Sequence, residues 1–249
     1  MTAKRLRLFA GPNGSGKTTI LERIPKEVNF GYIVNADEIE KTLAQEGKYS
    51  LNEQNISTNT VNLQHYFWNE GFSIQKIKDP IFIDHLIVKD NNIHLPINYV
   101  NSYVAVDIAG FLRIKHIENS HNFTFESVLS HPSKLDLLKM AKSKEYRIYL
   151  YYIATESVEI NVNRVKIRVL QQGHPVSEEA IRSRYPKSLN LLYDVIKLSD
   201  RAYLFDNSGK ESLYVAEITN GENVELHCNL EKVPNWFINY VKNKATDIG

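Results

Sequence analysis

The octet Gly11-Pro12-Asn13-Gly14-Ser15-Gly16-Lys17-Thr18 satisfies the pattern G-x-x-x-x-G-K-[ST], and no other feature constrains the chain as tightly. Each position has its own chemical reason. The glycines let the backbone turn sharply and bring its N–H groups within hydrogen-bonding reach of phosphate oxygens. A helix starting near Lys17 adds its positive dipole end to the same anion site. Lys17 would reach the β- and γ-phosphates, and Thr18 would hold Mg²⁺ through its hydroxyl, with Thr19 extending the nucleotide-binding stretch by one residue. At average residue usage a chain of 249 residues shows the pattern by accident about 1% of the time. Here it also lies between an apolar run and a helical one, which is the context the motif demands. The expected ligand is a nucleoside triphosphate, ATP or GTP, with Mg²⁺.

The surrounding rhythm is that of an α/β fold. Leu6–Ala10 reads as a short buried strand and Thr18–Ile24 as a helix that Pro25 helps to end. Gly31–Val34 is a second strand, followed by a charged helix over Glu38–Gln45. Strand, loop and helix repeated in this way predict a mostly parallel sheet with helices on both faces. The rhythm breaks between about residues 47 and 96. There Phe72–Ile77 and Ile81–Lys89 partly alternate, and Asp90–Asn91–Asn92 supplies a turn before Ile93–Leu95. This predicts a small β-rich insertion within a single domain. Helical spacing returns over Tyr99–Glu118, with strands expected at Phe123–Leu129, Tyr146–Ala154 and Ala202–Phe205. Helices are expected at Pro132–Ser143, Asn161–Gln171 and Ser177–Lys197, the last two flanking a turn at Gly173–His174–Pro175. Weak alternation over Tyr214–Leu230 suggests edge strands before a terminal helix around Trp236–Lys244.

Composition excludes more than it selects. Net charge is +1, so bulk charge gives no reason to expect nucleic acid or an anionic membrane as partner. The single cysteine, Cys228, rules out an intramolecular disulfide and a multi-cysteine zinc site, and fits a reducing cytoplasm. It reads as an inert packing residue. The basic start of the chain runs into an apolar stretch too short for a signal peptide, and no stretch approaches the roughly 18 apolar residues of a membrane span. A cytoplasmic protein is the expectation. The histidines show no pair at zinc-ligand spacing, so no metal other than Mg²⁺ is expected.

Three further stretches narrow the chemistry. Asn35 and Asp37 follow the second strand, where residues face the ligand crevice of an open α/β sheet. A carboxylate there can accept the proton of a hydroxyl attacking the γ-phosphate, the reading favoured over Asp37 merely capping the next helix. Glu126 ends another apolar strand and could hold an acceptor's hydroxyls. The cationic set Arg164, Arg168, Arg182 and Arg184 would stabilise charge spread over the transferred phosphoryl oxygens. Arg164 and Arg168 share a helix face, whereas Arg182 and Arg184 cannot both face one way.

The ordered set AGPNGSGKTT, VNADEI, FTFESVLS, AKSKEYRIYLYYIAT, RVKIRVLQQGHPVSEEAIRSRYPKSLNLL and FDNS resembles the zeta-toxin family of P-loop kinases, over about residues 5–45 and 97–208. The family's toxins phosphorylate a sugar hydroxyl of UDP-N-acetylglucosamine and are held in check by an antitoxin. The resemblance implies that Lys17 and Thr18 serve nucleotide and Mg²⁺, Asp37 is the general base and Glu126 contacts the acceptor sugar. It also makes Arg168 and Arg182 the transfer-site arginines, with Arg164 and Arg184 as alternatives within alignment error. Ser127 stands where the family usually has threonine, and residues 47–96 have no clear counterpart. The expectation is therefore a kinase acting on a small-molecule hydroxyl, with Asn35 and Glu126 among the acceptor-binding residues. The alternative is a nucleotide-binding regulatory module with little or no phosphoryl transfer; a kinase acting on nucleic acid ranks third, for want of a basic stretch beside Asp37.

Overall fold

A computed structural model describes residues 3–24, 28–78, 80–171 and 175–246. In chain order the elements are β1 (Arg5–Ala10), α1 (Lys17–Arg23), β2 (Tyr32–Val34), α2 (Ala36–Glu46), β3 (Lys48–Ser50), α3 (Thr60–Glu70), α4 (Ser73–Lys76), β4 (Ile87–Lys89) and β5 (Asn92–His94). There follow α5 (Ser102–Glu118), β6 (Phe123–Ser127), α6 (Ser133–Ser143), β7 (Arg147–Ala154), α7 (Val158–Leu170), α8 (Glu178–Leu198), β8 (Arg201–Asp206), β9 (Leu213–Thr219) and β10 (Asn223–Leu226). Helical turns over 235–246 end the described chain. Two compact units emerge, one made of Met1–Phe30 with Thr124–Gly249 and the other of Gly31–Phe123.

The first unit is built on strands in the order β10-β9-β8-β7-β1-β6. β1, β7 and β8 run parallel, with Leu8 opposite Leu150 and Leu150 opposite Ala202, while β9 and β10 are antiparallel additions at one side. The parallel strands are apolar on both faces because both faces are covered. On one face Phe9 and Ile153 pack with Ile20 of α1. On the other, the buried Tyr152 hydroxyl meets Ser188 Oγ of α8 at 3.0 Å. The expected α/β core is thus present, with element ends displaced by one to a few residues.

The second unit is organised around α5, whose burial extends around most of its circumference. A helix apolar on all sides belongs in a core, and α2, α3 and α4 pack on it. Gly110 lets the Tyr66 hydroxyl approach the helix; a Cβ there would lie 2.2 Å from it. The Asp107 carboxylate, buried, accepts the N–H groups of Phe72 and Ser73 at 2.9 and 2.7 Å and so ties down the start of α4.

This unit departs from the expected hairpin. β4 and β5 do pair through Asp90 and Asn91, both left-handed with φ of 49° and 54°, and β3 completes a three-stranded antiparallel sheet. Phe72–Ile77, however, contains α4 rather than a strand, and Pro80–Ile83 is a 3₁₀ turn. Alternation over six residues cannot by itself separate a strand from a helical turn, and the Asp107 cap settles it. A whole helix, α3, lies inside the stretch expected to be β-rich. Asn59 caps it by accepting Asn62 N–H at 2.9 Å, and Leu63 and Phe67, one turn apart, form its buried face. The unit also begins earlier and ends later than the anticipated insertion. Pro25, Gly173 and His174 lie outside the described residues. Among the described residues no helix is long and apolar enough to cross a membrane.

Candidate nucleotide-binding site

β1 delivers the chain into the glycine loop between its two neighbours. Gly11 N–H donates to Ser127 O of β6 at 3.2 Å, and a Cβ on Gly11 would lie 2.0 Å from Ile153 O of β7. Gly11 has φ of 145°, Gly14 77° and Gly16 94°, values in the region that side chains disfavour. A Cβ on Gly14 would meet Asn161 O at 2.6 Å, and one on Gly16 would meet Asn207 Nδ2 at 2.2 Å. All three glycines are therefore required twice, by dihedral angle and by space. Ser15 N–H donates to Pro12 O at 3.2 Å and closes the loop. The Lys17 ammonium lies back over the loop, 2.8 Å from Gly11 O and 3.1 Å from Pro12 O. Thr18 is exposed in the first turn of α1.

Two side-chain atoms inside this loop, Ser15 Oγ and Asn13 Oδ1, are buried without a hydrogen-bond partner. Unsatisfied buried polar atoms are rare in folded proteins and mark a place where another group is wanted. With the glycine cradle and the ammonium, Ser15 Oγ, which can donate, fits a bound polyphosphate, whereas Asn13 Oδ1 can only accept and calls for a donor instead. Thr18, in the first turn of α1, could hold Mg²⁺ beside the polyphosphate through its hydroxyl. Among the described residues no group of three His, Cys, Asp or Glu could hold a metal ion by itself.

Two asparagines support the loop from outside the motif; Asn207 lies in the FDNS stretch, where no role is assigned to it, and Asn161 in no motif. Asn161 of α7 donates from Nδ2 to Asn13 O at 2.6 Å, and Asn207, just after β8, donates to Ser15 O at 2.8 Å. The Thr155 hydroxyl donates to Asn161 Oδ1, and Asn207 N–H donates to Ala154 O at 2.8 Å. Both follow core strands at the ends that bear the loop.

Among the arginines, Arg164 of α7 is half-buried, donates from Nη2 to Gly209 O at 3.3 Å and leaves Nη1 buried without a partner. Arg168 is one turn further along and exposed. Arg182 of α8 is engaged elsewhere: it pairs with Glu159 at 2.9 Å and Glu178 at 2.9 Å, and Lys166 joins Glu178 at 2.9 Å. The hydrogen bonds from Arg182 hold the Glu159 carboxyl below its usual range; those from Lys166 and Arg182 do the same for Glu178, and both carboxylates raise Arg182 in turn. Arg184 is half-buried, so the two do face differently. Glu126, half-buried on β6, precedes Ser127, whose Oγ accepts Leu129 N–H at 3.0 Å.

Asn35 and Asp37 belong to the other unit. Asn35 is the N-cap of α2, its Oδ1 accepting Asp37 N–H at 2.9 Å and Glu38 N–H at 3.4 Å. The capping role the sequence left open for Asp37 is thus filled by Asn35, and the Asp37 carboxylate is exposed.

An uncharacterized protein of Haemophilus influenzae is 33% identical over 104 residues, which span 40% of this chain and 74% of that protein. The zeta toxin profile matches residues 107–219. The chain belongs to the zeta toxin family. Because the matched stretch begins well after the glycine loop, family membership and the loop are independent observations. Among solved structures, a chain of the AvrRxo1-ORF1:-ORF2 complex with ATP superposes with a TM-score of 0.49 at 16% identity, over 90% of this chain and 61% of that one. The PezAT toxin–antitoxin system of Streptococcus pneumoniae gives 0.49 at 15% identity, over 100% of this zeta toxin family member and 84% of that chain. The chain therefore spans about three-fifths of the AvrRxo1 chain.

Proposed function

We propose that this zeta toxin family member is an ATP- and Mg²⁺-dependent kinase that phosphorylates a hydroxyl of a small molecule. The observation that carries the reading is the glycine cradle, with buried, unbonded Ser15 Oγ inside it and the Lys17 ammonium across it. Lys17 would exchange neutral carbonyl partners for anionic phosphate oxygens, so that both donor and acceptor carry charge. Thr18 would hold Mg²⁺, which when bound would neutralise charge on the triphosphate.

Asp37 takes the proton of the acceptor hydroxyl. The acceptor oxygen bonds to the γ-phosphorus, the bond to the bridging oxygen breaks, and ADP leaves with that electron pair. Arg168 and Arg182 stabilise charge on the phosphoryl oxygens, with Arg164 and Arg184 as the alternates, and Glu126 and Asn35 serve the acceptor. Arg182 would leave Glu159 and Glu178 to do so, which is a small demand because exposed ion pairs contribute little. A nucleotide sugar of the UDP-N-acetylglucosamine kind is the first acceptor class to try, and an antitoxin the first protein partner.

The test is transfer of γ-labelled phosphate from ATP to a panel of nucleotide sugars, nucleosides and small metabolites. Label on one acceptor class, reduced about 100-fold or more by Asp37→Asn, is the expected result. Tight ATP binding with no transfer to any acceptor would favour the regulatory-module reading instead.

A further inference from the structure

The two asparagines beside the loop do more than fill space. We infer that Asn161 and Asn207 are positioning residues that set the direction of two P-loop peptide planes, and with them the phosphate-binding N–H groups of Gly14 and Gly16. This rests on the proposed nucleotide site and names the residues that shape it.

In a trans peptide the C=O and the following N–H point in opposite directions. Asn161 grips the carbonyl of Asn13 and Asn207 the carbonyl of Ser15. Each grip therefore turns the next N–H, of Gly14 and of Gly16, away from the supporting side chain. The same two residues fill the space that a Cβ would need at positions 14 and 16, Asn161 with its main-chain oxygen and Asn207 with Nδ2. A glycine at each position thus follows from the clamp as well as from the turn.

Both clamps are themselves fixed. Asn161 is fully buried, and the Thr155 hydroxyl on its Oδ1 leaves Nδ2 as the end that faces the loop. Asn207 is fastened through its N–H to Ala154 O, and Tyr185 Oη donates to Thr155 O at 2.5 Å. The end of β7 at Ala154–Thr155 is therefore the common anchor for the two side chains. Preorganised donors of this kind need no reordering when the anion arrives, which is where the gain in affinity comes from.

The experiment is isothermal titration of the full chain, in Mg²⁺, with ATP and separately with inorganic tripolyphosphate. The proteins are the wild type, Asn161→Ala, Asn207→Ala and Asn207→Ser, each held well below its melting temperature. Each alanine variant should lose about tenfold in affinity, equally for both ligands, as expected for one hydrogen bond per clamp. Asn207→Ser, which keeps a donor, should lose less. A base-contacting residue would lose affinity for ATP but not for tripolyphosphate, and a merely structural one would lower the melting temperature without rescue by Asn207→Ser. Unchanged tripolyphosphate affinity in Asn207→Ala would overturn the inference, even if Asn161→Ala fails to fold. A wild type that binds neither ligand would sink the nucleotide site itself and the clamp with it.

Discussion

The protein buries polar groups in two quite different ways. In the unit centred on α5, the Asp107 carboxylate accepts two backbone N–H groups, and the His116 ring meets Gln54 Oε1 at 3.0 Å and His121 Nδ1 at 3.2 Å while stacking on Tyr32 and Phe123. In the glycine loop, Ser15 Oγ and Asn13 Oδ1 stay unbonded, and the Lys17 ammonium lies on the carbonyls of Gly11 and Pro12. Ser73 Oγ and Thr58 Oγ1 are also buried unbonded in the α5 unit, but singly. The Asp107 and His116 networks hold the fold together, whereas unbonded Ser15 Oγ lies in a glycine loop beside a cation, ready for a group that arrives from outside. Substitutions in the first region should therefore move stability, and substitutions in the second should move ligand binding.

The largest effect should come from the glycine that is at once a loop residue and a close contact of β7. Gly11→Ala puts a Cβ 2.0 Å from Ile153 O at a φ of 145°, so the loop cannot form without shifting β7. A loss of more than about 3 kcal/mol in urea unfolding is expected, together with loss of ATP binding. A variant that binds ATP normally would show that the loop is far more plastic than its spacing suggests.

Asp107→Ala should come next and should act on stability alone. Removing the acceptor for Phe72 and Ser73 N–H would destabilise by about 3 kcal/mol, read from the shift of the denaturation midpoint. ATP affinity measured well below the melting temperature should not change; if it falls with stability, the division between the two regions is wrong.

Acid should also act on the α5 unit first. Burial, with a smaller contribution from His121, pushes His116 down to about 3. A group with a depressed folded pKa gives stability that is complete above its unfolded pKa, near 6.5, and is lost as pH falls from there towards 3. Unfolding free energy should drop by about 2 kcal/mol between pH 7 and pH 5. His116→Phe, which keeps the ring stack, should flatten that slope, and an unaltered slope would place its origin elsewhere.

The smallest effect is expected in the exposed ion pairs between α7 and α8. Glu178→Gln loosens Arg182 and should raise the phosphoryl-transfer rate by about two- to threefold, with no measurable change in melting temperature, because surface pairs contribute little. A lower rate would mean that the pairing positions Arg182 rather than withholding it.

The contrast also explains what could be read from the sequence. The loop, β1 and α1 were legible because the motif is local: each residue's role depends on neighbours within the same eight positions. The parallel core was legible for a related reason, since strands such as Tyr146–Ala154 are apolar at nearly every residue only when covered on both faces. The clamp was not, because Asn161 and Asn207 matter only once α7 and the end of β8 have been brought to the loop. Arg182 illustrates the same limit. Its charge was visible, but its partners Glu159 and Glu178 are defined by how two helices pack. In the α5 unit, six alternating residues at Phe72–Ile77 pointed to a strand, and a carboxylate 34 and 35 positions away decided for a helix.

The central claim is that the glycine loop binds a nucleoside triphosphate by its phosphates. Titrating the wild type and Lys17→Ala with ATP in Mg²⁺ tests it most directly, beside a thermal melt of both unliganded proteins. The account predicts that Lys17→Ala loses about 100-fold in ATP affinity while its melting temperature stays where it was, since removing one charge-assisted contact to phosphate touches no buried packing. Equal affinity in the two proteins, or a wild type that does not bind ATP, would contradict it.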